Sequence, residues 1–156
     1  MNYLGIDQGK KGGLAILDEK CRQIAVLKMP IKDKVVDVDA IHAFVIEHAP
    51  VHAFVEKQMI LQKQAGALTN GQNSGRVLGQ LEFLGIPYTL VKPSHWQKAI
   101  HGHSTSDKGR TVAWAGYMGY DVPMTSTRKN ATPHDGVADA LGVCYGGMAL
   151  GQGILR

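Results

Sequence analysis

The sequence predicts an α/β fold in which a mixed five-stranded sheet is flanked by helices. Two observations support this class. Short apolar runs of β-prone residues are bounded by glycine, proline or polar residues, as in strands. After the third run, segments with helical spacing separate or follow the remaining strands, giving the order βββαβαβααα of a mixed sheet. Because the chain has 156 residues, 44% of them hydrophobic, we expect one domain over residues 1–156.

The first three elements are predicted strands that pair antiparallel. Residues 3–7 and 14–17 are short apolar runs, and the glycine-rich residues 9–13 between them suit a hairpin turn. A third run covers residues 23–29 and ends before Pro30. These three runs open the predicted sheet.

An amphipathic helix and a fourth strand follow. Asp37 is placed to cap the helix, Pro50 closes it, and apolar or aromatic residues recur between them at helical spacing: Ile41, Phe44, Val45 and His48. The apolar run over residues 51–56 predicts the fourth strand, which ends at Glu56. The chain therefore returns to the sheet at this acidic residue.

The second half predicts one strand and four helices. A polar stretch over residues 57–73 comes first, and the fifth strand covers residues 88–91. The predicted helices cover residues 74–84, 93–100, 108–118 and 133–149.

Composition narrows the setting of the protein. No apolar run approaches the roughly 20 residues that span a bilayer, and the first residues do not resemble a cleavable signal, so we expect a cytoplasmic protein. Cys21 and Cys144 are far apart and form no CxxC motif, which favours plain thiols. The net charge of +4 supports binding of a polyanion only weakly.

Four acidic residues stand out as candidate metal ligands. Asp7 and Glu56 each end an apolar run, while Asp135 and Asp139 are four residues apart and share one face of a helix. Carboxylates that converge on one point can hold two divalent cations. An oxygen-rich set fits Mg²⁺ or Mn²⁺ better than zinc. His134 is a further candidate, either as a ligand or as a group that helps to activate water.

Each acidic residue also has a structural explanation. Aspartate before a glycine-rich turn, as at Asp7, often closes that turn, and Glu56 could be a solvated strand end. Thr132, Pro133 and Asp135 match an N-cap threonine, a proline at the first helical position and an acid at the third. Asp135 could therefore act in helix capping.

The motifs together resemble the RuvC family of Holliday junction resolvases, which belongs to the ribonuclease H and retroviral integrase superfamily. The resemblance covers essentially the whole chain and implies a ribonuclease H-like fold. Any one motif is weak, but their joint order and spacing is specific. The segments that carry it are residues 4–9, 54–58, 71–76, 96–98, 107–108 and 134–141.

The resemblance implies a metal-dependent endonuclease that cuts four-way DNA junctions by paired symmetric nicks and leaves 5′-phosphate ends. Asp7, Glu56, Asp135 and Asp139 would be its catalytic acids. Lys98 and Lys108 align with lysines that contact phosphate near the scissile bond, and Arg76 and Lys92 are looser candidates for DNA binding. Phosphate contacts of this kind make binding weaken steeply with salt.

The chain departs from the family pattern at two places. Many members carry the paired acid three residues before the last aspartate, where this chain has Gly136. In the family an aromatic residue soon after the glutamate wedges into the junction, whereas Met59 and Ile60 stand here. Apolar side chains can pry base steps apart, so these two remain candidates for DNA contact.

Symmetric resolution of a junction requires two active sites, so the expected assembly is a two-fold homodimer. The predicted helix over residues 74–84 has an apolar face that could form the interface or could pack on its own sheet. That face consists of Val77, Leu78, Leu81 and Leu84, with the small Gly75 and Gly79 nearby.

Other functions compete with the resolvase interpretation. A broader nuclease for forks and flaps, and a non-catalytic protein that binds DNA structures, fit much of the same sequence. The YqgF type shares the Gly-Ile-Asp-x-Gly opening, but the segments at 96–98 and 107–108 argue against it. A sugar kinase or actin-like ATPase needs far more chain. The small size suggests a compact member of the kind that phages encode.

Overall fold

The computed structural model describes residues 1–58 and 66–151 of the chain. In chain order the elements are β1 (Asn2–Asp7), β2 (Gly13–Asp18), β3 (Gln23–Lys28), β4 (Ile31–Lys32), β5 (Val35–Val36), α1 (Val38–His48), β6 (His52–Glu56), α2 (Ala67–Phe83), β7 (Tyr88–Val91), α3 (Pro93–His101), α4 (Lys108–Tyr117) and α5 (Asp135–Gly151). The main sheet has five strands in the order β3-β2-β1-β6-β7. Strands β1 to β3 pair antiparallel, and β6 and β7 join β1 in parallel. The predicted mixed sheet flanked by helices is confirmed.

The sheet has a packed layer on each face, as the alternation of side chains along a strand requires. In β2, Leu14 and Ile16 pack with α1 and α2, whereas Ala15 and Leu17 pack with α3, α4 and α5. All six residues of β2 are buried, because both faces of this strand are covered. The result is an α/β sandwich with its sheet in the middle layer.

Helix α5 lies against β1 in direct backbone contact. A Cβ at Gly5 would come within 2.2 Å of the carbonyl oxygen of Ala140, so only glycine permits this approach. Gly147 accommodates the ring of Phe54 from β6 in the same way. The position of α5 over the sheet is therefore fixed by glycines on both partners.

Two features of the fold differ from the sequence prediction. Helix α2 begins at Ala67, seven residues before the predicted start at residue 74, so part of the predicted polar stretch is helical. The β4–β5 ribbon was not predicted, since two-residue strands are too short to show a period. The ribbon is fixed to α2, because the side-chain oxygen of Asn73 accepts a hydrogen bond from the Val36 amide at 3.1 Å.

The apolar face proposed for dimerisation packs on its own sheet. Val77 and Leu81 are fully buried in the core, and Leu78 and Leu84 pack against it. The side of α2 that remains exposed is a different one. Among the described helices, none combines the length and the hydropathy that crossing a bilayer requires.

Candidate active site

A cavity of about 790 Å³ opens at the carboxyl ends of β1 and β6. Because these strands run parallel, their last residues, Asp7 and Glu56, reach the same edge of the sheet. Asp139 of α5 lines the same cavity. Three of the four acidic residues singled out in the sequence, remote along the chain, therefore face one space.

Asp7 closes a turn and also faces the cavity. Its Oδ1 accepts a hydrogen bond from the Gly9 amide at 3.1 Å, which closes the turn after β1. The residue also lines the cavity. Gly12 keeps the turn tight, since a Cβ there would fall 2.0 Å from the carbonyl oxygen of Asp7. The turn thus holds the carboxylate at the cavity wall.

Glu56 is held at its backbone and at its side chain. The side-chain Nε2 of Gln8, which is buried, donates to the backbone carbonyl oxygen of Glu56 at 2.7 Å. The Trp96 indole nitrogen donates to Glu56 Oε2 at 2.8 Å. Sequence motifs placed Trp96 near the site but gave no sign of this contact, which joins residues 40 positions apart.

The beginning of α5 corrects one prediction. The helix begins at Asp135 and not at residue 133, and the side chain that caps it is that of His134 instead of Thr132. His134 Nδ1 accepts from the Val137 amide at 3.2 Å. Burial lowers the pKa of His134, with the Lys28 charge acting in the same direction and Asp135 opposing it. A neutral ring suits this acceptor role, because a protonated Nδ1 cannot accept.

Asp135 lies one helical turn before Asp139, and its Oδ1 accepts from the Gly136 amide at 3.0 Å. Neither Asp135 nor His134 is among the described residues that line the cavity. The family position for the paired acid falls on Gly136, where a Cβ would lie 2.0 Å from the carbonyl oxygen of Lys11. A side chain at this position would therefore require the turn after β1 or the start of α5 to shift.

The chemistry of the donors fits a hard divalent cation. Asp7, Glu56 and Asp139 supply carboxylate oxygens to one cavity, the ligand type that Mg²⁺ and Mn²⁺ prefer. Within residues 1–58 and 66–151, no group of three or more His, Cys, Asp or Glu is already arranged to hold an ion.

The cavity is also lined by residues that the sequence motifs did not mark as functional. Lys10 and Lys11 come from the turn after β1, and Asn70 comes from the first turn of α2. Asp107 and Thr111 of the α4 region also line it, and Asp107 caps α4 by accepting from the Gly109 amide at 3.0 Å. The two lysines could have been predicted as site residues, because they lie in the turn that directly follows Asp7. That turn was interpreted only as a hairpin connection.

The predicted DNA-binding residues are spread over several elements. Lys92 and Lys98, at the two ends of α3, are exposed and lie outside the set of described residues that line the cavity. Arg76 donates from Nε to the Val36 carbonyl oxygen at 3.0 Å and so packs α2 against β5. Lys108 is the first residue of α4. Met59 and Ile60 lie outside the described residues.

The fold is RuvC-like and of the ribonuclease H type, so the resemblance carried by the motifs is confirmed. The structure is similar to that of RuvC from Thermus thermophilus, with a TM-score of 0.66 and 26% identity over 98% of this chain and 97% of the other. RuvC of that organism in complex with a Holliday junction substrate gives a TM-score of 0.69 at 21% identity, over 98% and 96% of the two chains.

A fowlpox virus resolvase, solved with its substrate Holliday junction DNA, matches over the full length of both chains with a TM-score of 0.59 and 16% identity. No protein-family model and no curated protein matches the sequence. The likeness therefore rests on the three-dimensional structure together with the motifs.

Proposed function

We propose that this protein is a metal-dependent, structure-selective endonuclease that resolves Holliday junctions by paired symmetric nicks. The observation that carries the proposal is the meeting of Asp7, Glu56 and Asp139 in one cavity. The structural neighbours that include junction DNA supply the substrate class. The reaction is hydrolysis of a phosphodiester bond that leaves a 5′-phosphate and a 3′-hydroxyl.

In this proposal Asp7, Glu56 and Asp139 hold two Mg²⁺ or Mn²⁺ ions, with Asp135 as the fourth acid from the same helix. Bound at the site, such ions lower the pKa of water and stabilise charge on the leaving oxygen. The protein provides a fixed frame for its acids. The Gly9 amide orients Asp7. Glu56 is held by hydrogen bonds from Trp96 and Gln8. The close packing of α5 on β1 sets the position of Asp139.

Basic residues around the cavity are proposed to bind the DNA backbone. Lys10 and Lys11 lie beside the carboxylates on a turn that α5 braces, so they are suited to hold the phosphates next to the scissile bond. Lys98 and Lys108 extend this role to α3 and α4, as the family resemblance implies. Such contacts position the DNA but carry no sequence information.

The proposed assembly is a two-fold homodimer that forms through the exposed side of α2. The interface prediction moves from the buried face to Leu68, Gly75, Gly79 and Phe83, which follow one another at helical spacing. Leu68 and Phe83 are 77% and 79% exposed. Apart from adjacent residues and the backbone of α2 itself, no atom of the described chain lies within 4 Å of a Cβ at Gly75 or Gly79, so a second helix has room to approach.

The test uses purified protein with a labelled immobile four-way junction, a fork and a linear duplex, each with and without Mn²⁺. Paired symmetric nicks on the junction alone support the resolvase. Equal cutting of forks and junctions would indicate instead a broader nuclease for branched DNA. Binding without cutting would indicate a protein that recognises DNA structure and has no catalytic role.

A further inference from the structure

We propose that Trp96 is a positioning residue, whose indole N–H fixes the orientation of the Glu56 carboxylate toward the cations. This inference rests on the proposed function, because it assigns a role within the same site. Its basis is the hydrogen bond of 2.8 Å from Trp96 Nε1 to Glu56 Oε2. Both residues line the cavity that Asp7 and Asp139 share.

The indole ring is locked in place by the helix that carries Asp139. Trp96 is 1% exposed. A Cβ at Gly142 would come within 2.8 Å of the ring, and a Cβ at Gly146 within 2.8 Å of the Trp96 backbone. These two glycines of α5 make room for the tryptophan. The donor therefore has a fixed position relative to both the sheet and α5.

The fixed donor restricts the rotation of the Glu56 carboxylate. A glutamate side chain has three rotatable bonds, and a solvated one samples many orientations. When Oε2 accepts from a buried indole, the plane of the carboxylate and the direction of its other oxygen are defined. Groups that orient a metal ligand in this way affect metal affinity or activity by about 10–100-fold when they are removed.

Burial of a large ring in the core is the competing explanation for Trp96. The two explanations differ in what a phenylalanine does at the position. Phenylalanine retains most of the buried apolar surface but has no N–H to donate. The chain has one other tryptophan, Trp114, whose ring contacts are to Tyr120 and Tyr145 at centroid distances of 5.6 and 5.4 Å. W114F is therefore a matched control for W96F.

The first readout needs neither DNA nor catalysis. In W114F protein the sole tryptophan is Trp96, and in W96F protein it is Trp114. We expect titration with Mn²⁺ or Mg²⁺ to change the tryptophan emission of W114F in a saturable way. The same titration should leave W96F unchanged, apart from any non-saturable quenching by Mn²⁺. Adding E56Q to the W114F background should remove the saturable change.

The second readout is the cation concentration that gives half-maximal junction cleavage. We expect W96F to need about 10–100 times more cation than W114F, while thermal unfolding shows both variants folded. An unchanged cation requirement in folded W96F overturns the inference, whatever the emission of W114F shows. Cleavage by W114F would then leave the proposed function in place. If no variant cuts any substrate, the emission titrations decide: a change that E56Q removes supports the inference, and its absence overturns it.

Discussion

Gly136, the second residue of α5, packs so closely against Lys11 that a Cβ there would lie 2.0 Å from the Lys11 carbonyl oxygen. Gly12 and Gly136 also form a parallel bridge between the turn and the helix. This contact joins the turn that follows Asp7 to the helix that carries Asp139. It couples the two sides of the candidate active site.

The first prediction concerns this contact. G136A should destabilise the protein by about 1–3 kcal/mol, because overpacking against backbone atoms outweighs the gain in helix propensity. G116A in α4 is the control, since a Cβ there meets no described atom within 4 Å apart from adjacent residues and the backbone of α4 itself. Urea unfolding measures both. Equal stability of the two variants would show that the turn after β1 shifts to accommodate the added Cβ at little cost in free energy.

The second prediction concerns the carboxylates. D7N, E56Q and D139N should each lower junction cleavage by about 1000-fold, since several kcal/mol of charge stabilisation are lost and about 1.4 kcal/mol corresponds to tenfold. Junction binding should stay equal or become tighter, because removing one carboxylate reduces repulsion of the phosphates. Cleavage and gel-shift assays measure the two effects. D33N, in the turn between β4 and β5, is the control, and a D33N loss of the same size would contradict the assignment.

The third prediction separates the capping role of His134 from a role in metal binding. H134A should cost about 0.5–2 kcal/mol of stability, as the loss of an N-cap does. H134N restores a capping side chain and should retain both stability and cleavage. Thermal unfolding and junction cleavage are compared for the three proteins. A stable H134N variant that cuts poorly would instead indicate that the imidazole ring binds the cation or helps to activate water.

The fourth prediction concerns the lysines that line the cavity. Each phosphate contact adds about 0.9 to the slope of log affinity against log salt on duplex DNA. K10A/K11A should therefore lower the slope for junction binding by about 2. K20A, in the turn between β2 and β3, should leave the slope unchanged. An unchanged slope in K10A/K11A would mean that DNA does not contact this turn.

The fifth prediction concerns the homodimer. F83E places a charge on the exposed side of α2 and should weaken association by at least about 100-fold, since an unpaired buried charge costs several kcal/mol. Y117E is the control, because Tyr117 is 90% exposed on α4, on the opposite face of the sheet. Sedimentation velocity gives the oligomeric state. A dimeric F83E protein would place the interface elsewhere.

The local features of the fold could be predicted because they depend on neighbouring residues. Apolar runs marked the five strands, and Asp37 caps α1 as predicted by accepting from the Asp39 and Ala40 amides. The start of α2 was missed, since the residues before Ser74 are polar and include glycine, and contacts such as that of Asn73 with Val36 stabilise its first turns. Tertiary contacts override local propensity there.

The sequence by itself determined that carboxylates stand at the ends of the first and fourth predicted strands and on the last helix. Only the tertiary structure decided that they meet, because the parallel pairing of β1 with β6 and the approach of α5 at Gly5 join residues far apart along the chain. The contacts of Trp96 with Glu56, and of Gly136 with Lys11, belong to the same group. No local pattern encodes such contacts, since packing of the whole core brings their partners together.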